Sequence, residues 1–171
     1  MPAVEPFVRG RFEHYDPAYL SPDPGFTHAH LTVLAPFLPA PDPEALEVAA
    51  GIVAPTAPIA FTLHRLETFP NGVIYLAPEP DDPFRTLTER FVAAFPQFPP
   101  YGGAFPEIVP HVTLDQTSAE VSVESTRSRL GHAVPVACVA DRVDLAWYEP
   151  HRSRVLTSWP LGRPAVRAGS P

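Results

Sequence analysis

The sequence predicts a duplicated fold of helices and antiparallel strands, with two similar lobes meeting at a shared cleft. Two observations predict it. The stretch Pro110-His111-Val112-Thr113-Leu114 has an echo 81 positions earlier at Ala29-His30-Leu31-Thr32-Val33, and each reads His, apolar, Thr, apolar. The same succession of motif strand, helix, strand, turn and strand then follows each copy, with Pro58 and Pro135 in matching places. A pseudo-two-fold axis between such halves brings the two motif strands to the centre.

Each element has its own warrant. Residues 4–14 place apolar side chains at 4, 7, 8 and 12, the spacing of one helix face. Residues 16–28, with three prolines and Gly25, read as a loop. The first motif strand is expected over about 29–37, where β-branched and apolar residues run on with no helix-start signal until Pro36 and Pro39. Asp42-Pro43 then opens a helix with an acidic first turn, closed by Pro55 and Pro58. Residues 59–69 alternate as a strand, Pro70-Asn71-Gly72 turns the chain, and 73–77 return as the hairpin partner. A helix from Asp82-Pro83 gathers Phe84, Leu87, Phe91, Val92 and Phe95 on one face. A loop over 96–110 delivers the second motif strand, about 109–117. A helix over 118–131 ends at Gly131, a strand follows at 135–147, Glu149-Pro150-His151 turns, and the last strand covers 153–161. Residues 1–171 form one domain, with 162–171 an extended or disordered tail.

Composition narrows the function. A length of 171 residues with 45% hydrophobic content suits one compact core. The 25 prolines and nine glycines make about a fifth of the chain, short of the range that marks disorder. A net charge of −7 excludes a surface built to grip long nucleic acid, because such binding neutralises phosphates with a basic face. A small anion in a local pocket stays compatible. All 12 basic residues are arginine, which excludes a lysine nucleophile, a Schiff base and a P-loop lysine. Cys138 stands alone among apolar neighbours and reads as an inert buried thiol. The N-terminus shows no charged-then-apolar signal pattern and no apolar run reaches 18 residues, so a soluble, cytoplasmic chain without a membrane partner is expected. We expect a monomer.

The chemistry concentrates in the two motifs. In a strand, residues two apart share a face, so each His projects with its Thr while the apolar pair turns inward. Of seven histidines, a bare His-x-Ser/Thr pattern recurs at His151-Arg152-Ser153, but only the two central sites keep apolar residues at the second and fourth positions.

These residues resemble the 2H phosphoesterase superfamily, named for paired His-x-Thr/Ser motifs, in its bacterial 2′-5′ RNA ligase-like, cyclic phosphodiesterase branch. The similar pieces are His30-Leu-Thr-Val-Leu-Ala-Pro-Phe, Gly72-Val-Ile-Tyr-Leu-Ala-Pro-Glu-Pro, Pro100-Tyr-Gly-Gly-Ala-Phe and Pro110-His-Val-Thr-Leu. The resemblance implies an α+β fold, a bilobal pseudo-two-fold duplication of antiparallel sheets with helices packed outside and a central cleft. It also implies chemistry on 2′,3′-cyclic phosphates without metal or other cofactor, with His30, Thr32, His111 and Thr113 as the catalytic tetrad. The substrate implied is a small cyclic-phosphate nucleotide or a short RNA end. One departure is Asp115-Gln116, where members often carry a basic residue.

Opening a cyclic phosphate with water needs a base for the water proton and an acid for the departing ribose oxygen, and two imidazoles supply both near neutral pH. Here His111 is expected as base and His30 as acid. The two threonine hydroxyls would hold the non-bridging oxygens. Tyr101 and Phe105 are candidates to stack a base, and Arg152 and Arg154 to hold the phosphate. Phe37 and Tyr148 read as packing. A zinc site on His28, His30 and His111 lacks a neighbouring Cys or acidic ligand and is not adopted. A second reading stays open: a nucleotide- or RNA-end-binding module with the same cleft and no useful chemistry, motivated by the acidic charge and by Asp115-Gln116.

Overall fold

The computed structural model describes residues 1–38, 40, 42–105 and 107–162. Most of the predicted tail, 163–171, lies outside the described residues.

The architecture is α+β with antiparallel sheets. Helix α1 (Glu5–Tyr15) carries Glu5 and Pro6 in its first turn and His14 in its last, an order of charges that suits the helix dipole. Val4 and Val8, one turn apart, enter the core. Helix α2 (Pro43–Val53) is capped by the Asp42 carboxylate, which accepts the Ala45 N–H at 3.4 Å, and buries Ala45, Ala49 and Val53 at helical spacing. Strands β1 (Ile59–Thr68) and β2 (Val73–Glu79) form the expected hairpin. Between them Gly72 sits at φ +87 and donates its N–H to the Phe69 carbonyl at 2.8 Å, a conformation that glycine adopts without strain. Helix α3 (Asp82–Ala94) buries Phe84, Leu87, Thr88 and Phe91, and Phe95 follows at its C-terminal end.

Strand β3 (Val112–Gln116) carries the second motif. Helix α4 begins at Val123, not 118, and runs to Leu130. The serines explain the delay. Ser118 closes a turn by donating its N–H to the Val121 carbonyl at 3.0 Å, its hydroxyl takes the Glu120 N–H, and Ser122 with Ser125 builds a capping box. Serine hydroxyls compete with the helix ladder before they cap it.

The single strand expected at 135–147 is two, β4 (Val136–Ala140) and β5 (Arg142–Trp147), parted at Asp141. Strand β4 joins the main sheet, in the order β3-β2-β1-β4, while β5 pairs with β6 (Arg154–Pro160) in a separate hairpin. The main sheet therefore draws two strands from each predicted half. Cys138 on β4 is half-buried, and desolvation raises its thiol pKa.

The largest correction concerns 29–37, which forms no strand. The backbone groups that would have made a ladder are engaged elsewhere. The N–H groups of His28 and Ala29 donate to the Glu5 carboxylate at 3.0 and 2.7 Å. The Ala35 carbonyl accepts the Tyr101 N–H at 2.6 Å, and Pro36 has no N–H to give. Ala29 is still buried, and Leu31 and Val33 pack against the core, so the apolar half of the motif does face inward.

Two bulges shape the sheet. Ile74 pairs with Asp115 and Tyr75 with Thr113, which leaves Leu114 as the extra residue of β3. A bulge reverses the in-and-out alternation, so Asp115 is buried beside Leu114 while Thr113 and Gln116 are exposed. His64 is the extra residue of β1 in the same way.

Candidate functional site

The second motif sits where loop becomes strand. Val112 is fully buried and Leu114 nearly so, while Thr113 is exposed and His111 half-buried. His111 Nδ1 lies 2.6 Å from the Val109 carbonyl oxygen. The first motif repeats this contact without a strand, with His30 Nδ1 2.7 Å from the His28 carbonyl oxygen. A carbonyl can only accept, so each Nδ1 carries a hydrogen, and in the neutral ring the lone pair is on Nε2. Two imidazoles are thus presented in one tautomer by the same device, each bound to the main chain two residues before it.

The His111 ring is among the groups that act electrostatically on His30. His30 is exposed at the surface although loss of solvation is the leading influence on its ring. Its pKa is lowered, first by loss of solvation, with the His111 and His28 rings adding to that effect. The His28 carbonyl and the Glu5 charge oppose it.

Aromatic groups line both sides. Phe69 and Tyr75 stack at 4.1 Å between centroids, and both meet His111 edge-on, at 4.9 and 5.5 Å. The Tyr75 hydroxyl donates to Glu67 at 2.8 Å, and burial followed by that hydrogen bond pushes its pKa up to about 12. Tyr101 has φ +52, uncommon for a residue with a side chain. Its N–H is tied to the Ala35 carbonyl. Burial raises the Tyr101 pKa and Thr32 partly offsets it. Phe105 is exposed and meets Tyr101 edge-on at 5.5 Å.

The structure therefore brings Tyr101 and Phe105 beside the first motif. Arg152 and Arg154 are exposed along an open groove with Asp23, Ser153 and Val155, and among the described residues neither is bonded to a motif residue. Phe37 packs edge-on against Phe95 and Phe98. Tyr148 stacks on Tyr19. His28 has both ring nitrogens engaged, Nδ1 by Glu5 at 3.0 Å and Nε2 by the Ser21 N–H at 3.3 Å, so it has no lone pair to offer a metal. Asp115 faces the interior. Arg11 of α1 approaches it at 2.8 and 2.9 Å and the Tyr15 hydroxyl at 3.0 Å.

The 2′-5′ RNA ligase superfamily profile matches residues 3–152, most of the chain. This chain belongs to that superfamily. Among solved structures it is similar to TT0787 of Thermus thermophilus, with 19% identity, 95% of this chain and 94% of that one covered, and a TM-score of 0.59. It is also similar to LigT of E. coli in apo form, with 18% identity, 95% and 92% covered, and a TM-score of 0.55. The LigT complex with 3′-AMP aligns at 18% identity, 91% and 92% covered, and a TM-score of 0.52. At such identities the likeness is one of fold. No curated protein matches the chain.

In this superfamily member, sequence reasoning missed Glu5, Phe69 and Tyr75. Glu5 is an acidic residue in the first turn of α1, and nothing local marks it as the partner of a loop more than 20 residues on. Phe69 had a usable signal, since the Pro70-Asn71-Gly72 turn places it at a hairpin tip.

Proposed function

We propose that this chain is a metal-independent phosphoesterase that opens 2′,3′-cyclic phosphates of nucleotides or short RNA ends by paired-imidazole acid–base catalysis. The observation that carries the reading is the repeated contact of each histidine Nδ1 with the carbonyl two residues before it. In each neutral ring it leaves the lone pair on Nε2, with no partner for it among the described residues. The crystallised complexes of E. coli LigT with 3′-AMP, NADP+ and ATP support a small nucleotide as ligand.

In hydrolysis, one Nε2 takes a proton from water as its oxygen bonds to phosphorus. The bond from phosphorus to one ribose oxygen breaks, and the protonated partner imidazole gives that oxygen its proton, leaving a phosphomonoester. Thr32 and Thr113 donate to the non-bridging oxygens and stabilise the growing charge. The roles expected from sequence are better reversed. A base must be neutral, and His30 is the ring whose pKa is lowered, so His30 is assigned as base and His111 as acid. With an RNA 5′-hydroxyl in place of water, the same geometry forms a 2′-5′ bond, and the reaction is reversible. Tyr101 and Phe105 form the wall on which the base stacks. With Arg152 and Arg154 unconnected to the motifs, the phosphate is assigned to the threonines and imidazoles.

The non-catalytic reading drew on Asp115-Gln116. Asp115 is 5% exposed and paired with Arg11, so it adds no exposed anionic charge after the second motif, while the acidic net charge stays as that reading's support. The test is turnover of 2′,3′-cyclic AMP in EDTA, followed by chromatography with product isomers resolved. Wild type should hydrolyse it, and His30→Ala and His111→Ala should each lose most activity; undiminished turnover in either variant refutes the assignment.

A further inference from the structure

The first motif rests on a carboxylate support, where the second has a guanidinium. Glu5, the first residue of α1, spends its carboxylate on residues 28 and 29. Oε1 lies 3.0 Å from both the backbone N–H and Nδ1 of His28, and Oε2 accepts the Ala29 N–H at 2.7 Å. The His28 side chain is fully buried, with Phe12 and Phe26 at 5.4 and 5.1 Å. Its Nε2 accepts from Ser21 and so carries no hydrogen. Nδ1–H must then be the donor to Glu5. The peptide held by this clamp presents the carbonyl that takes the His30 Nδ1–H at 2.7 Å. At the second motif Val109 stands in the place of His28, and there the side chain that reaches the loop is Arg85 of α3, which is held by Asp81 and donates to the Ile108 carbonyl.

We propose that Glu5 is a positioning residue for the first-motif imidazole, acting through His28: three donors on one carboxylate fix the 28–29 backbone, so that His30 keeps its hydrogen on Nδ1 and its Nε2 bare toward the cleft. The inference rests on the reading of His30 as a reacting group. Hydrogen bonds to a carboxylate are shorter and stronger than neutral ones, and losing this acceptor would strand two backbone N–H groups and a buried ring N–H. Once the peptide can rock, the carbonyl no longer selects one tautomer. The charged and titratable groups acting on His30 are Glu5 from α1, His28 from its own segment and His111 from the second motif. Among them Glu5 is the one whose charge favours protonation, and its loss moves the His30 titration to lower pH.

The experiment uses the full chain labelled with 15N-histidine, in wild type, Glu5→Gln, Glu5→Asp and Glu5→Ala. Two-bond 1H–15N spectra above pH 7 read the tautomer, with the His30 signals identified by their loss in His30→Ala. Wild type is expected purely as Nδ1–H, Glu5→Gln as a mixture, and Glu5→Asp between them. Turnover of 2′,3′-cyclic AMP should fall on the order of 10- to 100-fold in kcat for Glu5→Gln with KM little changed, as displacement of a reacting group by about 1 Å produces. The acid limb of its pH profile should move down. If Glu5→Gln melts earlier but keeps a pure Nδ1–H His30 and the wild-type pH profile, the role is structural and the proposal fails. Should Glu5→Ala fail to fold, the Gln and Asp variants decide. Should wild type turn over no cyclic phosphate, the functional reading falls, and the tautomer spectra still decide the role of Glu5.

Discussion

Replacing Asp115 with alanine tests how the two motif carriers are joined. Its side chain is fully buried, and that of Arg11 is only 16% exposed. Oδ1 accepts from Arg11 Nη2 at 2.9 Å, the Tyr15 hydroxyl at 3.0 Å and the Gln116 N–H at 2.9 Å, while Oδ2 lies 2.8 Å from Arg11 Nε as an ion pair without hydrogen-bond geometry. Truncation leaves a largely buried guanidinium without its counter-ion. Breaking such a pair on one side costs about 3–5 kcal/mol. At roughly 2–4 °C per kcal/mol for a chain of this size, Tm should fall by about 6–20 °C. The pair also couples stability to function, because α1 carries Glu5, which holds the first motif, and β3 carries Thr113 of the second. Asp115→Ala should therefore lose activity even well below its own Tm. Calorimetry and urea unfolding give the stability change, and the double variant with Arg11→Met removes the stranded charge and should recover part of the loss. A cost under about 1 kcal/mol, or single-variant costs that simply add in the double variant, would refute the reasoning.

Two more predictions accompany those already attached to His30, His111 and Glu5. The His30 pKa is lowered from its ordinary 6.5, first by desolvation; a base works when neutral, and the neutral fraction grows with pH, so the acid limb of kcat/KM should have its midpoint below 6.5. Rates on 2′,3′-cyclic AMP across pH 4–9 check this, and a midpoint above 6.5 contradicts the assignment of His30 as base. Tyr101→Ala should raise KM about 5- to 150-fold, the range expected for losing one stacked base at about 1–3 kcal/mol. Tyr101→Phe keeps the ring, so its KM should stay near wild type, and an unchanged KM in Tyr101→Ala removes the ring from the substrate wall.

The regular elements were legible where the signal was local. The α2 and α3 stripes declare themselves in spacing, and Pro70-Asn71-Gly72 marks the β1–β2 hairpin because glycine is needed at φ +87. The paired motifs were legible too, since a His two residues from a Thr between apolar neighbours is unusual enough to notice twice. What escaped depended on partners distant in sequence. Residues 29–37 have strand-like composition, but their backbone donors and acceptors meet Glu5 and Tyr101 instead of another strand. Asp115 read as a surface departure because a bulge cannot be seen in alternation alone. The break at Asp141 was hidden for a similar reason, as both pieces have strand composition and only the pairing partner changes.

The unpaired residue in β3 has a consequence for how this strand can evolve. Up to Thr113 the strand shows its polar positions to the open side; past Leu114 its phase is inverted, and Asp115 reaches under the sheet to Arg11. One short segment thus serves as a working surface at one end and a fastener at the other, with a single surplus residue as the joint. Side chains there can be exchanged for others of similar bulk, but the length cannot change. Removing or adding one residue would turn the fastener outward or the working face inward, and no substitution elsewhere could restore both.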